Sequence, residues 1–184
     1  MQTQVKDTIP DHHLTLHEVV KDLVADGRLT KETADQFLIP ARSSKLDIHA
    51  LVMLAQQEWP DQSRPGQILN LETLTQWLAN KAGLSYFRID PLKVDVTAVT
   101  AVTSHAYATR YKILPVKVDT HKVVIATAEP YAREWEAELA HITGLQIERV
   151  ITNPVDLARY LDEFYSVSHS IRRATSGKED HAIP

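Results

Sequence analysis

Apolar positions follow a helical rhythm in the first part of the chain and a strand rhythm later. Leu16, Val19, Val20, Leu23 and Val24 recur at helical spacing and line one face of a helix. Gly27 follows where helices commonly end in a left-handed residue. Thr30 is placed to cap a second helix with Ala34, Phe37 and Leu38 inward, and Pro40 to stop it. A third helix is predicted from Asp47 to Glu58, with Ile48, Leu51, Val52 and Ala55 on one face and Trp59 closing its end. Residues 60–66 hold two prolines and a glycine among polar residues and read as a loop. Asn70 then caps a fourth helix carrying Leu71, Leu74, Leu78 and Ala82, ended by Gly83.

After Gly83 the rhythm changes. Tyr86–Ile89 is a short strand candidate stopped by Asp90-Pro91. Asp95 can cap a helix over Val96–Tyr107, with Val99, Val102 and Ala106 inward. Residues 112–128 read as a hairpin, Ile113–Val118 and Lys122–Ala128 around the turn Asp119-Thr120-His121. The unbroken apolar run Val123–Ala126 predicts a strand covered on both faces. Pro130 can open a helix burying Tyr131, Trp135, Leu139 and Ile142, with Gly144 at its end. Gln146–Ile151 alternates as a further strand. Asn153-Pro154 starts a last helix with Val155, Ala158, Leu161 and Phe164 or Tyr165 on its face.

These signals divide the chain into a flexible leader (1–13), a helical N-terminal subdomain (14–59), a linker loop (60–69), an α/β domain (70–166) and a flexible polar tail (167–184). A linker in that last position leads to the expectation that a further domain follows it. The fold class is α/β (α+β): a helical subdomain, then a small mixed sheet of about three to four strands packed with helices.

Composition narrows the function classes. The 184 residues are 43% hydrophobic and 24% charged, enough for a packed core. A net charge of -4 gives no broad basic face for nucleic acid or anionic lipid, and Arg172-Arg173 alone is a solvated pair. The absence of cysteine excludes disulfides, thiolate metal sites and thiol catalysis. No apolar run approaches the ~18 residues that a spanning helix needs. The five glycines never form a Walker loop or a GxGxxG turn, so no backbone cradle for a triphosphate is present.

From Leu71 to Tyr165 the chain resembles the N-terminal domain of the type II secretion and type IV pilus assembly ATPases, the GspE/PilB group related to MshEN domains. The resemblance rests on elements in the family's order. They are Leu71–Leu74 through Ala82-Gly83-Leu84-Ser85-Tyr86, Ile89-Asp90-Pro91, Tyr111–Val116, Val124–Pro130, Thr143-Gly144-Leu145, and Asn153-Pro154 through Phe164-Tyr165. It implies a non-catalytic module that docks the ATPase onto the cytoplasmic domain of an inner-membrane assembly protein and couples it to its own motor domain. The expected location is the cytoplasm, held peripherally at the inner membrane through that partner. ATP and magnesium would belong to the parent's motor, leaving this chain with no cofactor of its own.

Residues 16–41 resemble the helix–Gly–helix unit that precedes this domain in the same ATPases. In one branch of the family, two such units bind cyclic di-GMP through an Arg-Leu-Gly start. The positions that the unit makes candidates for a partner or dinucleotide are Val19, Val20, Leu23, Val24, Gly27, Arg28 and Leu29. Glu18-Val19-Val20 stands where Arg-Leu-Gly would, so a carboxylate would face phosphate and a valine would block close approach. A cyclic di-GMP sensor is therefore the alternative reading, not the leading one.

Other constellations have plainer explanations. His13 and His17 share a helical spacing, but a helix entry explains them without a metal, and no third ligand is near apart from Asp11 or Glu18. Asp90, Asp95, Glu129 and Asp156 sit at turns and helix starts, where carboxylates cap. No catalytic and no metal-binding residue is assigned. Trp59, Trp77 and Trp135 are expected in the core or a seam, with Trp77 off the stripe of its own helix. Purified chain incubated with ATP and magnesium should release phosphate no faster than buffer. Turnover abolished by a point substitution in this chain would overturn the non-catalytic reading.

Overall fold

The computed structural model describes residues 9–38 and 47–179. Pro40, residues 1–8 of the leader and residues 180–184 of the tail lie outside the described residues. Helices α1 (Leu16–Ala25), α2 (Lys31–Leu38), α3 (Ala50–Ala55) and α4 (Leu71–Ala82) come first. Then follow β1 (Ser85–Tyr86), α5 (Val96–Thr100), α6 (His105–Tyr111), the hairpin β2 (Ile113–Val118) and β3 (Lys122–Thr127), α7 (Glu136–Thr143), β4 (Gln146–Ile151) and α8 (Pro154–Glu179). The sheet order is β1-β4-β3-β2, with β1, β4 and β3 parallel and β2 antiparallel to β3. The α/β class with a small mixed sheet therefore holds.

The predicted caps are in place. Thr30 Oγ1 accepts from Thr33 N, and Asn70 Oδ1 from Thr73 N. Gly83 and Gly144 both end their helices at φ 68°, where a side chain would be strained. β3 is buried on both sides. Val124 and Ala126 pack with Leu114, Val150, Leu157, Leu161 and Phe164, while Val123 and Ile125 pack with Ile113, Trp135 and Leu139.

Several elements differ from the sequence expectation. The single helix over Val96–Tyr107 is two, because Ser104 caps α6 by accepting from Tyr107 N. The Tyr165 hydroxyl donates to Thr103 O and holds the turn between them. Four of the five residues from Val99 to Thr103 are β-branched, which lowers their helix propensity. The expected helix from Pro130 begins only at Glu136. Tyr131 O is taken by His12 N, Arg133 N by Asp11, and Ala132 O by the Trp135 indole, so the backbone of 130–135 is already engaged. Ile142 is consequently exposed. On α8 the inner face is Leu157, Leu161, Phe164 and Tyr165, and Val155 and Ala158 turn outward. On α3 the buried residues are Ala50, Leu51 and Leu54, with Ile48 partly exposed ahead of the helix.

The domain seams move too. Residues 167–179 are helix, not a flexible tail: α8 continues past the core, anchored by Ser168, whose buried hydroxyl accepts from Thr100. Asp11 and His12 of the leader, and Leu14 just after it, are tied to the segment after β3. Residues 60–69 are no linker. Leu69 is buried with the helices, Leu69 N bonds Trp59 O, and Pro60 and Ile68 form a bridge. α4 completes the helical core with Leu74, Trp77 and Leu78, and its far side touches β1 and β4.

The 60–69 loop is fastened by Asp61. Its side chain is fully buried, accepts two bonds from Arg28 at 3.1 and 2.8 Å, and accepts from the Ser63 backbone and hydroxyl. Burial pushes its carboxyl up, but Arg28 and Ser63 outweigh this and hold it below the usual range. Its contribution is thus present above the ordinary carboxylate range and is lost as pH falls through the lowered value. Asp61→Ala should cost about 3 kcal/mol in denaturant unfolding at pH 7, since it strands Arg28. Asp61→Asn should flatten the acid limb of the stability–pH curve relative to the parent protein.

Candidate functional site

The seven candidate positions do not form one open surface. Val19, Val20, Leu23 and Leu29 are buried in the helical core. Helical spacing puts Val19, Val20 and Leu23 on the inward face of α1, and Leu29, in the turn after Gly27, folds back into the same core with residues of α2, α3 and α4. Val24 is half-buried. Gly27 is exposed at φ 71° and lets Arg28 N reach back to Leu23 O. Arg28 is spent on Asp61. What α1 does present nearby is Asp26. It accepts from the Trp77 indole at 2.8 Å and pairs with Lys81 at 3.1 Å. Trp77, off the stripe of α4 by spacing, is thereby explained: it is buried and ties α4 to the end of α1. Burial raises the Asp26 carboxyl, yet Lys81 and Trp77 pull it below its ordinary value.

A second constellation joins the helical core to the sheet, and sequence reading missed it. The segment after β3 is gripped from two directions. From the N-terminal arm, Leu14 N donates to Glu129 at 2.9 Å, His12 N to Tyr131 O at 3.0 Å, and Arg133 N to Asp11 at 2.9 Å. The His12 ring stacks on Tyr131 with centroids 5.2 Å apart, and its Nε2 lies 2.8 Å from Glu18. Hydrogen bonding to the Pro10 carbonyl and to Glu18 holds the His12 imidazole above its usual range. From α3, His49 Nε2 donates to Ala128 O at 2.7 Å and sits 3.4 Å from Glu129. No sequence motif marks this set, because residues 11–14, 49 and 128–133 are distant in the chain. The one available signal was a histidine directly ahead of an apolar run, at a cap position.

Beside this seam lies a cleft of about 1090 Å³ between α3, the end of α6 and the start of α8. Ile48 and Val155, both partly exposed, line it together with Val52, Ala158 and Leu161. Arg110 is on the rim, where its guanidinium lies over the Tyr111 ring, while Lys112 is engaged with Asp47 at 2.8 Å. The arrangement suits a partner with an apolar side chain. Among the described residues no group of three or more His, Cys, Asp or Glu gathers as a metal would require. Among them, too, no helix is long and apolar enough to cross a membrane.

Comparison with known proteins places the fold. Residues 82–171 match the MshEN domain family. The chain is also 36% identical over 169 residues, 88% of its length, to the type IV pilus assembly ATPase TfpB of Acinetobacter baylyi (strain ATCC 33305 / BD413 / ADP1). This is an N-terminal domain of the secretion and pilus assembly ATPase family. The chain spans 28% of the length of TfpB. A structure of MshE with cdg is similar at TM-score 0.57 and 19% identity, covering 83% of this chain and 99% of that one. The N-terminal domain of XpsE is similar at TM-score 0.51 and 16% identity, covering 84% and 99%. At those identities the likeness is one of fold. The matched segment starts at Ala82, so the seven candidate positions and the His49 cap lie ahead of the MshEN domain proper.

Glu129 is the shared acceptor at the seam. Glu129→Ala leaves the partly buried Leu14 amide without its acceptor and should lower unfolding free energy in urea by about 1 kcal/mol. Fluorescence of Trp135, which lies beside the gripped segment, reports the same transition.

Proposed function

We propose that this chain is the docking and regulatory module of a type IV pilus or type II secretion assembly ATPase. Its place would be the cytoplasm, bound to the cytoplasmic domain of an inner-membrane assembly protein. It performs no chemistry itself. The carrying observation is the 36% identity to TfpB, which runs through most of the chain instead of one motif. The chemistry agrees: no glycine turn here can wrap a triphosphate, so nucleotide and magnesium belong to a motor elsewhere in the parent protein. Contact surfaces are what remains, and the mainly apolar cleft between α3 and α8 offers one.

A second reading is a cyclic di-GMP sensor, favoured by the likeness to a structure of MshE with cdg. The residues stand against it. Val19, Val20, Leu23 and Leu29 are inside, Arg28 is held by Asp61, and Glu18 faces His12 in the position where phosphate would need a cation.

The two readings separate in one pair of titrations. The cytoplasmic domain of the cognate assembly protein should bind with a dissociation constant below about 100 μM by calorimetry. Absence of binding at that concentration overturns docking. Cyclic di-GMP, followed by amide shifts to millimolar ligand, should leave Val24, Gly27 and Arg28 unmoved. Saturable shifts at those three would install the sensor in its place.

A further inference from the structure

His49 makes two hydrogen bonds that only one form of the imidazole can make together. Its Nδ1 accepts from Leu51 N at 3.1 Å, which caps α3. Its Nε2 donates to Ala128 O at 2.7 Å, across to the sheet. A carbonyl cannot donate and an amide N–H cannot accept, so the ring is neutral with its proton on Nε2. Adding a proton at Nδ1 sets N–H against N–H and removes the cap.

We infer that His49 is a proton-operated catch between α3 and the sheet: neutral, it caps α3; protonated, it releases that cap and pairs with Glu129. The receiving carboxylate is already in position, with Glu129 Oε1 3.4 Å from Nε2 while its other oxygen accepts from Leu14 N. The protonated ring keeps Nε2–H and hence its bond to Ala128 O, so the change is confined to the α3 side. α3 is six residues long, too short to hold its first turn without a cap and packing.

The charged groups around His49 come from every neighbouring element. Glu129 after β3 favours the protonated ring. Lys112 at the end of α6, itself paired with Asp47, and His13 in the N-terminal arm oppose it. Arg110 on α6 and Asp162 on α8 line the same cleft. Burial is the largest influence and, with Lys112 and His13, holds the imidazole below its ordinary value in spite of Glu129. The sign follows: above the ordinary imidazole range the catch is shut, and it opens as pH falls from there through the lowered value. This device is independent of the docking reading, since it concerns the chain alone.

Amide exchange on the full chain tests it, measured at pH 7.5 and 5.0 and corrected for intrinsic rates. Protection at Leu51 should fall at low pH, by up to about tenfold for each unit by which His49 is displaced. Protection at Ile125 in β3 should stay constant. Nitrogen shifts of the His49 ring should show an unprotonated Nδ1 at pH 7.5. Glu129→Gln should move the Leu51 response to lower pH. His49→Asn, whose side chain can cap without titrating, should abolish it. A protonated Nδ1 at neutral pH, parallel loss of protection at Leu51 and Ile125, or an unchanged Leu51 response in Glu129→Gln would each overturn the inference, whether or not His49→Asn folds.

Discussion

The constraint beneath this structure is that β3 must be covered on both faces. Val123 to Ala126 presents apolar side chains up and down, and none can meet water. One side takes α8, whose Leu157, Leu161 and Phe164 span the sheet. The other takes Trp135 and Leu139 from the turn and short helix between β3 and β4. A parallel partner strand on one edge and a hairpin partner on the other follow from the same need, because every backbone group of a buried strand requires a mate.

Covering β3 leaves its C-terminal exit to be managed, and polar groups do this. The chain after Thr127 turns away without helix until Glu136, and its backbone is paired with the N-terminal arm and with His49. The same logic governs the 60–69 loop, which closes on one carboxylate. Among the described residues no buried side-chain nitrogen or oxygen lacks a partner. Such satisfied buried contacts are directional, so they set how the helical core sits on the sheet, whereas apolar packing alone tolerates sliding. α4 adds to the coupling because its two sides belong to different neighbours, the helices on one and β1 and β4 on the other.

That architecture separates two roles which the helix–Gly–helix pattern had joined. The pattern at residues 16–29 is structural: it builds the core face of α1 and a left-handed stop. The surfaces left for contact are elsewhere, at the cleft between α3 and α8 and along the exposed end of α8 beyond Ser168. Val167 and Ile171 on that end are each about half exposed, at 47% and 45%. The two lie four residues apart on α8, which spans Pro154–Glu179.

Local chemistry was readable in the chain from the start. The apolar stripe of α1, the caps at Thr30, Asn70, Asp95 and Asn153, the glycine stops at Gly83 and Gly144, the hairpin, and the two-faced burial of β3 all depend on residues within a few positions of one another. The absence of a phosphate cradle was equally local. Tertiary contact decided the rest: the break at Ser104, the delayed start of α7, the outward turn of Val155, the helical state of residues 167–179, the enclosure of Asp61 and the pairing of His49 with the sheet. Each depends on a hydrogen bond or packing contact between groups far apart in sequence, such as Thr103 with Tyr165 or His49 with Ala128. Spacing along the chain reports which side of an element is apolar. Only the folded arrangement decides which polar atoms are brought within bonding distance across it.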